Sequence, residues 1–506
     1  LPGYLFTALS YFSFICWIWP RNVVVNQLFG SVSGLGLNFL TFDWGQVTWI
    51  GSPLVIPFWV QVHVFASFVL IYWILAPILY YADVWKSGHL PLMGGSAYDR
   101  FANPYNLTRV FDPYTTRFNV TAYEEYSPLY LPISFALTYL LAFAIPPALV
   151  MHTVICYGPV AYRLVRNRKR PEDEKDDVHA KLMRRYPEVP HWWYFAIFTV
   201  SLALSIGAAF VQPDLDVPVS SITLAILLGV IFIIPECYFQ AMTGQPAGIN
   251  LLPQIIPGAL WPEKPMTNMG SQTSTSRAGT ILPQANFVQA LKLGHYMKVP
   301  PRCSFLVLLV GVFVCTTSQI GVTLLIFEGV KDVCEPEQSA RLFCPSSHVF
   351  YTASIIWGII GPNRQFGKGG IYYGPVYAVI AGAALPVFIW WWNRRSAGRT
   401  WLGQFNLAIA VNGSIAIPPA TGINYSSWFV VGFIFQYFLR TRRYRWWSRY
   451  NYVLAGALDS GTSIGTIICF LILQLPRRGT LALNWWGNTV WQNSTFLLDA
   501  GVLEIN

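Results

Sequence analysis

Charge is scarce in this sequence. Only 11% of its 506 residues are Asp, Glu, Lys or Arg, against roughly a quarter in a soluble domain. That shortage excludes an ordinary globular protein. It also removes the nucleic-acid partner that a net charge of +10 would suggest, because the basic residues gather between apolar runs. The eight cysteines show no metal-binding spacing. Six lie in or beside apolar runs, where cysteine behaves as a small hydrophobe. No phosphate loop, dinucleotide fingerprint or zinc signature is present, and the seven histidines are scattered. These absences argue against a nucleotide-driven pump and against a membrane-embedded enzyme or scaffold built on a catalytic cluster. No metal or cofactor is expected, and energy must come from an ion gradient. There is no signal-peptide pattern. The chain starts at Leu1 and is apolar by Tyr4, which reads as a piece of a longer protein without its natural start.

Apolar sequence is what abounds: 54% of residues are hydrophobic and 16% aromatic. Uncharged runs of roughly 20 residues cross the hydrocarbon layer as helices. Long runs lie at about 57–82, 131–157, 192–212, 220–241, 303–327, 371–392 and 452–475. Shorter or interrupted ones lie at about 4–19, 27–41, 246–261, 349–361, 404–419 and 427–439. The expected fold is all-α: a polytopic transmembrane helical bundle with broken or re-entrant helices, forming one membrane domain over 1–506. The stretch 83–130 is too short and turn-rich to bury much by itself.

Two signals orient the chain. The loop 83–130 carries the sequons Asn106-Leu107-Thr108 and Asn119-Val120-Thr121, which are acceptors for glycosylation on an outer face. The loop 163–190 holds nine Lys or Arg, the mark of a cytoplasmic loop. One span separates them, so the two agree. Counting onward places 242–302 at the cytoplasmic side and 328–348 outside, where Cys334 and Cys344 meet oxidising conditions and a disulfide between them is expected. Run 349–361 is too short to cross. If it dips in and returns, and 404–419 pairs with 427–439 as a hairpin, then RRSAGR (394–399) and RTRRYR (440–445) both fall inside. A re-entrant 349–361 follows. Backbone of this kind survives at membrane depth only where it is buried or lines a cavity.

Three stretches mix helix breakers with amides and hydroxyls: 240–258, 411–427 and 458–466. Broken helices free backbone groups that hold solutes or ions, although Gly and Pro also simply permit close packing. Gln240, Gln245, Asn250, Gln254, Asn412, Asn424, Ser460 and Thr462 are therefore candidate substrate-path residues. Ionisable groups inside spans are costly and usually functional. Asp459, the sharpest, and His152 are the expected proton carriers, with Glu236 as a further candidate and His63 and Asp43 behind it. Ahead of the 25-residue uncharged run Cys303–Phe327 stands a stiff cationic element of His295, Tyr296, Lys298, Pro300, Pro301 and Arg302. Its prolines spare donors at a helix start. Its cations anchor to lipid phosphates, or attract a carboxylate at the inner mouth.

The strings NQLFG, LKLGHYMKVPPR, FCPSSHVFYTASIIWGIIGPNRQFGKGGIYY, NYSSWFVVGFIFQY and WWSRYNYVLAGALDSGT resemble the oligopeptide transporter family, nearly end to end. The peptide-transporting branch of fungi and plants is nearer than the yellow-stripe metal-chelate branch. The resemblance implies a polytopic carrier that imports small peptides with protons, glutathione and modified peptides among them, most often at the plasma membrane. It makes this chain the C-terminal two-thirds of the family fold and the 295–302 element a family hallmark. A carrier of metal chelates or siderophore-like ligands is the alternative, which no Met-, His- or Cys-rich tract favours. The polar segment 270–287 departs from the family pattern.

Overall fold

A computed structural model describes residues 2–38, 40–112, 117–167, 178–211, 217–249, 251–262, 264, 267, 281–335, 338, 342, 344–396 and 405–491. The fold is all-α. Among the described residues the only strands are the two-residue pair Phe111–Asp112 and Arg117–Phe118. Among the described residues seven helices are long and apolar enough to cross a membrane: Phe58–Tyr81, Ile133–Cys156, His191–Val211, Val219–Thr243, Pro301–Gly329, Gly374–Arg395 and Tyr444–Arg477. Each coincides with one of the long apolar runs, as it must when helical hydrogen bonding alone satisfies a backbone in lipid.

The helix over 133–156 is the axis of packing, with the helices at 219–243, 374–395 and 407–413 against it. Gly382 is what lets 374–395 approach: a Cβ there would sit 2.3 Å from the Ala144 carbonyl oxygen. Thr138 and His152 mark two levels on this axis, roughly 21 Å apart at 1.5 Å per residue. Tyr72 on the 58–81 helix bonds Thr138 (2.8 Å). Asn406 bonds His152 (3.1 Å).

Between these levels the chain turns back on itself. Residues 407–416 rise from Asn406 to the Thr138 level, where Thr138 bonds the Ile417 carbonyl. The chain then returns beside the 58–81 helix, with Tyr425 stacked on Phe68 (4.5 Å), Phe429 on Phe65 (4.2 Å) and Tyr437 beside Phe58 (5.2 Å). This is the hairpin that the basic loops required.

Run 349–361 also reverses. A π-helical stretch over Ile355–Ile360 ends at Gly361, whose φ of 86° turns the chain without a Cβ penalty. Trp357 then stacks on Phe366 (4.8 Å, 6°). Both limbs meet the 83–130 segment: Val349 lies against Gly95, and Gln365 Nε2 donates to the Leu129 carbonyl (2.8 Å). A second part-way segment starts from the other level, where Gln245 bonds the Ile50 carbonyl (3.0 Å) and Gly244 approaches Pro57. Its helix Leu252–Leu260 packs on 355–360 and on 362–366. The two part-way segments are therefore in contact.

Two expectations change. The 83–130 segment buries far more than its length suggested: Leu90, Leu92, Met93, Tyr98, Tyr105, Val110, Phe118, Tyr123 and Leu129 are all core residues. It does so by packing on neighbouring elements, with Arg364 over Phe118 (4.9 Å). The stretch 458–466 is not broken. One α-helix runs Tyr444–Cys469, because isolated glycines in a long helix cost little when neither turn nor close approach demands them.

Candidate functional site

The interrupted segments 244–249 and 411–427 converge in the middle of the bundle. Proline at 246 cannot donate a hydrogen bond, so the backbone after Thr243 leaves helical geometry and its polar groups need other partners. Asn412 supplies them. Its Nδ2 donates to the Pro246 carbonyl (3.0 Å) and its Oδ1 accepts from the Gly248 amide (2.6 Å). Between those two, the Ala247 amide donates to Glu236 Oε1 (2.8 Å). Glu236 is completely buried, and its Oε2 has no partner among the described residues. An ionised carboxylate without a second partner in such surroundings is expensive, and a proton on the open oxygen removes that charge.

The same cluster extends sideways. Gln245 links to Ile50, and Trp428 Nε1 donates to the neighbouring Gly51 carbonyl (3.0 Å). Asn424 donates to both oxygens of Gln46, at 2.8 and 2.9 Å, while its Oδ1 accepts from the Thr421 amide. Ser426 bonds the Asn38 carbonyl (2.8 Å), and Ser427 accepts from the Thr41 amide (2.7 Å). The apolar run 27–41 thus also enters the bundle, non-helical over 30–38 after the helix Val23–Phe29. Gln245, Asn412 and Asn424 are buried; Glu236 and Asn412 meet at the 246–248 backbone, and Gln245 and Asn424 both bond the adjoining 46–50 segment. Gln254 is buried on the adjacent 252–260 helix. Asn250 lies outside the described residues, as do 270–280.

Other sequence candidates stand apart from it. Asp459 is exposed on its helix and accepts from Trp44 Nε1 (2.7 Å). Ser460 is exposed, and Thr462 returns its hydroxyl to the Leu458 carbonyl (2.9 Å). His152 is half-buried between Asn406 and Cys156. Gln240 pairs with Gln289 (2.9 Å). His63 bonds its own turn through the Trp59 carbonyl, and Asp43 caps the short helix Trp44–Val47.

The 295–302 element is a docking joint. Lys298, at a φ of 62°, donates to His179 and to the His295 carbonyl. Arg302 Nε donates to the Glu188 carbonyl (3.1 Å), and Tyr296 sets its ring edge-on to His179 (4.9 Å). Pro300 caps and Pro301 opens the helix Pro301–Gly329. Asn106 and Asn119 are exposed and cap the turns that follow them. A disulfide joins Cys334 and Cys344, with Cα atoms 5.0 Å apart.

A second amide group went unread in the sequence. Gln61 donates to the Pro53 and Ile56 carbonyls (both 2.8 Å), while Gln436 and Asn451 both donate to the Leu54 carbonyl. The available signal was a lone uncharged amide inside each apolar run, at VQV, FQY and YNY.

The family model described as OPT oligopeptide transporter protein matches residues 1–473. Glutathione transporter 1 of Schizosaccharomyces pombe is 40% identical over 97% of this chain and 56% of its own length. Oligopeptide transporter 5 of Arabidopsis thaliana is 36% identical over 96% of this chain and 65% of its own length. Sexual differentiation process protein isp4 of S. pombe is 34% identical over 96% and 61%. This chain therefore spans less than two thirds of these curated relatives. No solved structure matches it. The chain belongs to the OPT oligopeptide transporter family.

Proposed function

We propose that this chain forms part of a plasma-membrane carrier that imports small peptides together with protons, Glu236 being the group that takes the proton. The observation that carries this reading is the single hydrogen-bonded join between a buried carboxylate and an interrupted backbone: Ala247 to Glu236, with Asn412 holding the residues on either side. Adding a proton to Glu236 changes the charge beneath a non-helical segment that Asn412 also holds, so one event reaches both the ion and the solute path. Asp459 and His152 lack that connection. Peptides are favoured because the centre is made of amides, hydroxyls and backbone groups, the partners that peptide bonds require. The relative named as a glutathione transporter places glutathione among the compounds to try first.

The sequons on 83–130 and the nine basic residues of 163–190 support an external and a cytoplasmic side respectively. Uptake of labelled glutathione and a labelled tetrapeptide into proteoliposomes of the full-length protein tests the reading. Accumulation that follows an imposed inward proton gradient and collapses with a protonophore is expected. Uptake indifferent to the gradient overturns it.

A further inference from the structure

From Gln338 to Leu458 the sequence contains eleven Lys or Arg and no Asp or Glu. Five of those cations fall within ten residues: Arg440, Arg442, Arg443, Arg445 and Arg449. They stand where the hairpin limb Phe433–Leu439 passes into the long helix Tyr444–Cys469, at the end of the apolar stretch. All five are exposed. Aromatic residues are interleaved with them. Arg440 lies over the Trp447 ring (4.9 Å) and Arg449 over Tyr450 (5.4 Å), while Trp446 packs beside Tyr450 (5.8 Å). Tyr444, Trp446 and Tyr450 are exposed in turn.

Five guanidinium groups without an acidic neighbour in sequence repel one another, and that arrangement persists at a cost unless an anion shares it. The aromatic rings fix the depth, since Trp and Tyr settle at the boundary between acyl chains and headgroups. Arginine forks match phosphate geometry with paired hydrogen bonds. A cluster of this size directly beside a spanning helix is the pattern that gathers acidic lipids.

We propose that the 440–449 belt is a binding site for the phosphate headgroups of anionic phospholipids. A mere interfacial anchor would accept any headgroup, zwitterionic ones included, and a free-anion site would accept phosphate in solution. The chemistry distinguishes these, because only an anionic lipid offers net charge and acyl chains together.

The full-length protein in neutral detergent is titrated with phosphatidylserine, phosphatidylcholine or inorganic phosphate while its thermal midpoint is followed. Phosphatidylserine is expected to raise the midpoint saturably, and the other two are not. Each basic residue near an acidic lipid surface accounts for about a five-fold change in affinity. The triple change Arg442→Gln, Arg443→Gln, Arg445→Gln should therefore weaken phosphatidylserine binding on the order of a hundredfold. The lysine triple at the same positions should keep most of it. Equal responses to phosphatidylserine and phosphatidylcholine, a full response to phosphate alone, or an unaltered glutamine triple overturns the proposal. Should the glutamine triple fail to fold, the wild-type comparison of the three ligands still decides. The proposal does not depend on the proposed side assignment, which would put this belt at the cytoplasmic leaflet. Labelling of Ser448→Cys by an impermeant thiol reagent reads that assignment separately.

Discussion

Asn412 and Gly248 are 164 positions apart in the chain, yet the Asn412 carboxamide accepts the Gly248 amide at 2.6 Å while also donating to Pro246. One side chain thus closes the gap that Pro246 opens. Asn412→Ala leaves a buried donor and a buried acceptor unpaired, a loss of about 1–3 kcal/mol for each group. Initial uptake rates, normalised to protein at the membrane, should fall at least about tenfold. Asn412→Asp keeps the acceptor for Gly248 but loses the donor to Pro246, and should be nearly as impaired. Normal rates in both variants would show that the join has no part in transport.

Glu236→Gln retains an oxygen for Ala247 but cannot bind a proton. Concentrative uptake driven by a pH gradient should be abolished, while exchange of labelled against unlabelled peptide at equal pH continues. Asp459→Asn and His152→Asn should leave concentrative uptake in place. If the Glu236→Gln protein concentrates peptide like wild type, the proton is carried elsewhere.

The sequence made the long spans legible because an apolar run of sufficient length has one outcome in lipid. It also showed the re-entrant 349–361 and the 404–439 hairpin, since the basic loops had to share a side. It put Asp459 ahead of Glu236 as a proton carrier. Both are carboxylates inside apolar runs, and only tertiary packing turns one outward and the other onto the 244–249 segment. The expected break at 458–466 fails for a related reason. Glycine at 456 and 461 has nothing within 4 Å of an added Cβ, so those residues tolerate a helix rather than interrupt one. The burial of 83–130 was hidden because its partners lie far away in sequence.

Glycine contacts give a stability test. At Gly422 a Cβ would lie 2.0 Å from the Leu35 carbonyl oxygen, a backbone atom that cannot rotate away. Gly422→Ala should lower the thermal midpoint and the yield of folded protein, with an overpacking cost of about 1–3 kcal/mol. Gly456→Ala lies on an open helix face and should be neutral or slightly stabilising, by up to about 1 kcal/mol. Equal midpoints for the two variants would mean that 30–38 does not sit against 422–432 as described.

His89 gives the 83–130 segment a pH dependence. Burial, aided by Lys86, holds its imidazole below the ordinary value of 6.5, while Asp83 and Asp99 oppose the change. The folded segment therefore binds the proton less readily than the unfolded one. Its stabilising contribution is complete above about pH 6.5 and declines as the pH falls from there to the folded value. Amide exchange around Leu90–Met93, corrected for the intrinsic effect of pH on exchange, should quicken in wild type as the solution is acidified below neutrality. The His89→Gln protein should not show that acceleration. An identical pH response in both proteins would remove His89 from the account.

The sequons test the sidedness, provided the substitution leaves the local fold alone. Asn119 caps the helix Val120–Tyr126 through Ala122, so Asn119→Gln removes a cap worth about 1 kcal/mol along with the acceptor site. Thr121→Ala destroys the same sequon and spares the cap. Thr108→Ala does so for Asn106, at the loss of one exposed hydroxyl contact. Glycosidase-sensitive mobility in the full-length protein should drop one step with each threonine change and two steps with both. Unchanged mobility, combined with cleavage of 163–190 by protease applied from outside the cell, would reverse the orientation. The arginine belt at 440–449 would then face the outer leaflet, and the centre around Glu236 would receive its protons from the opposite side.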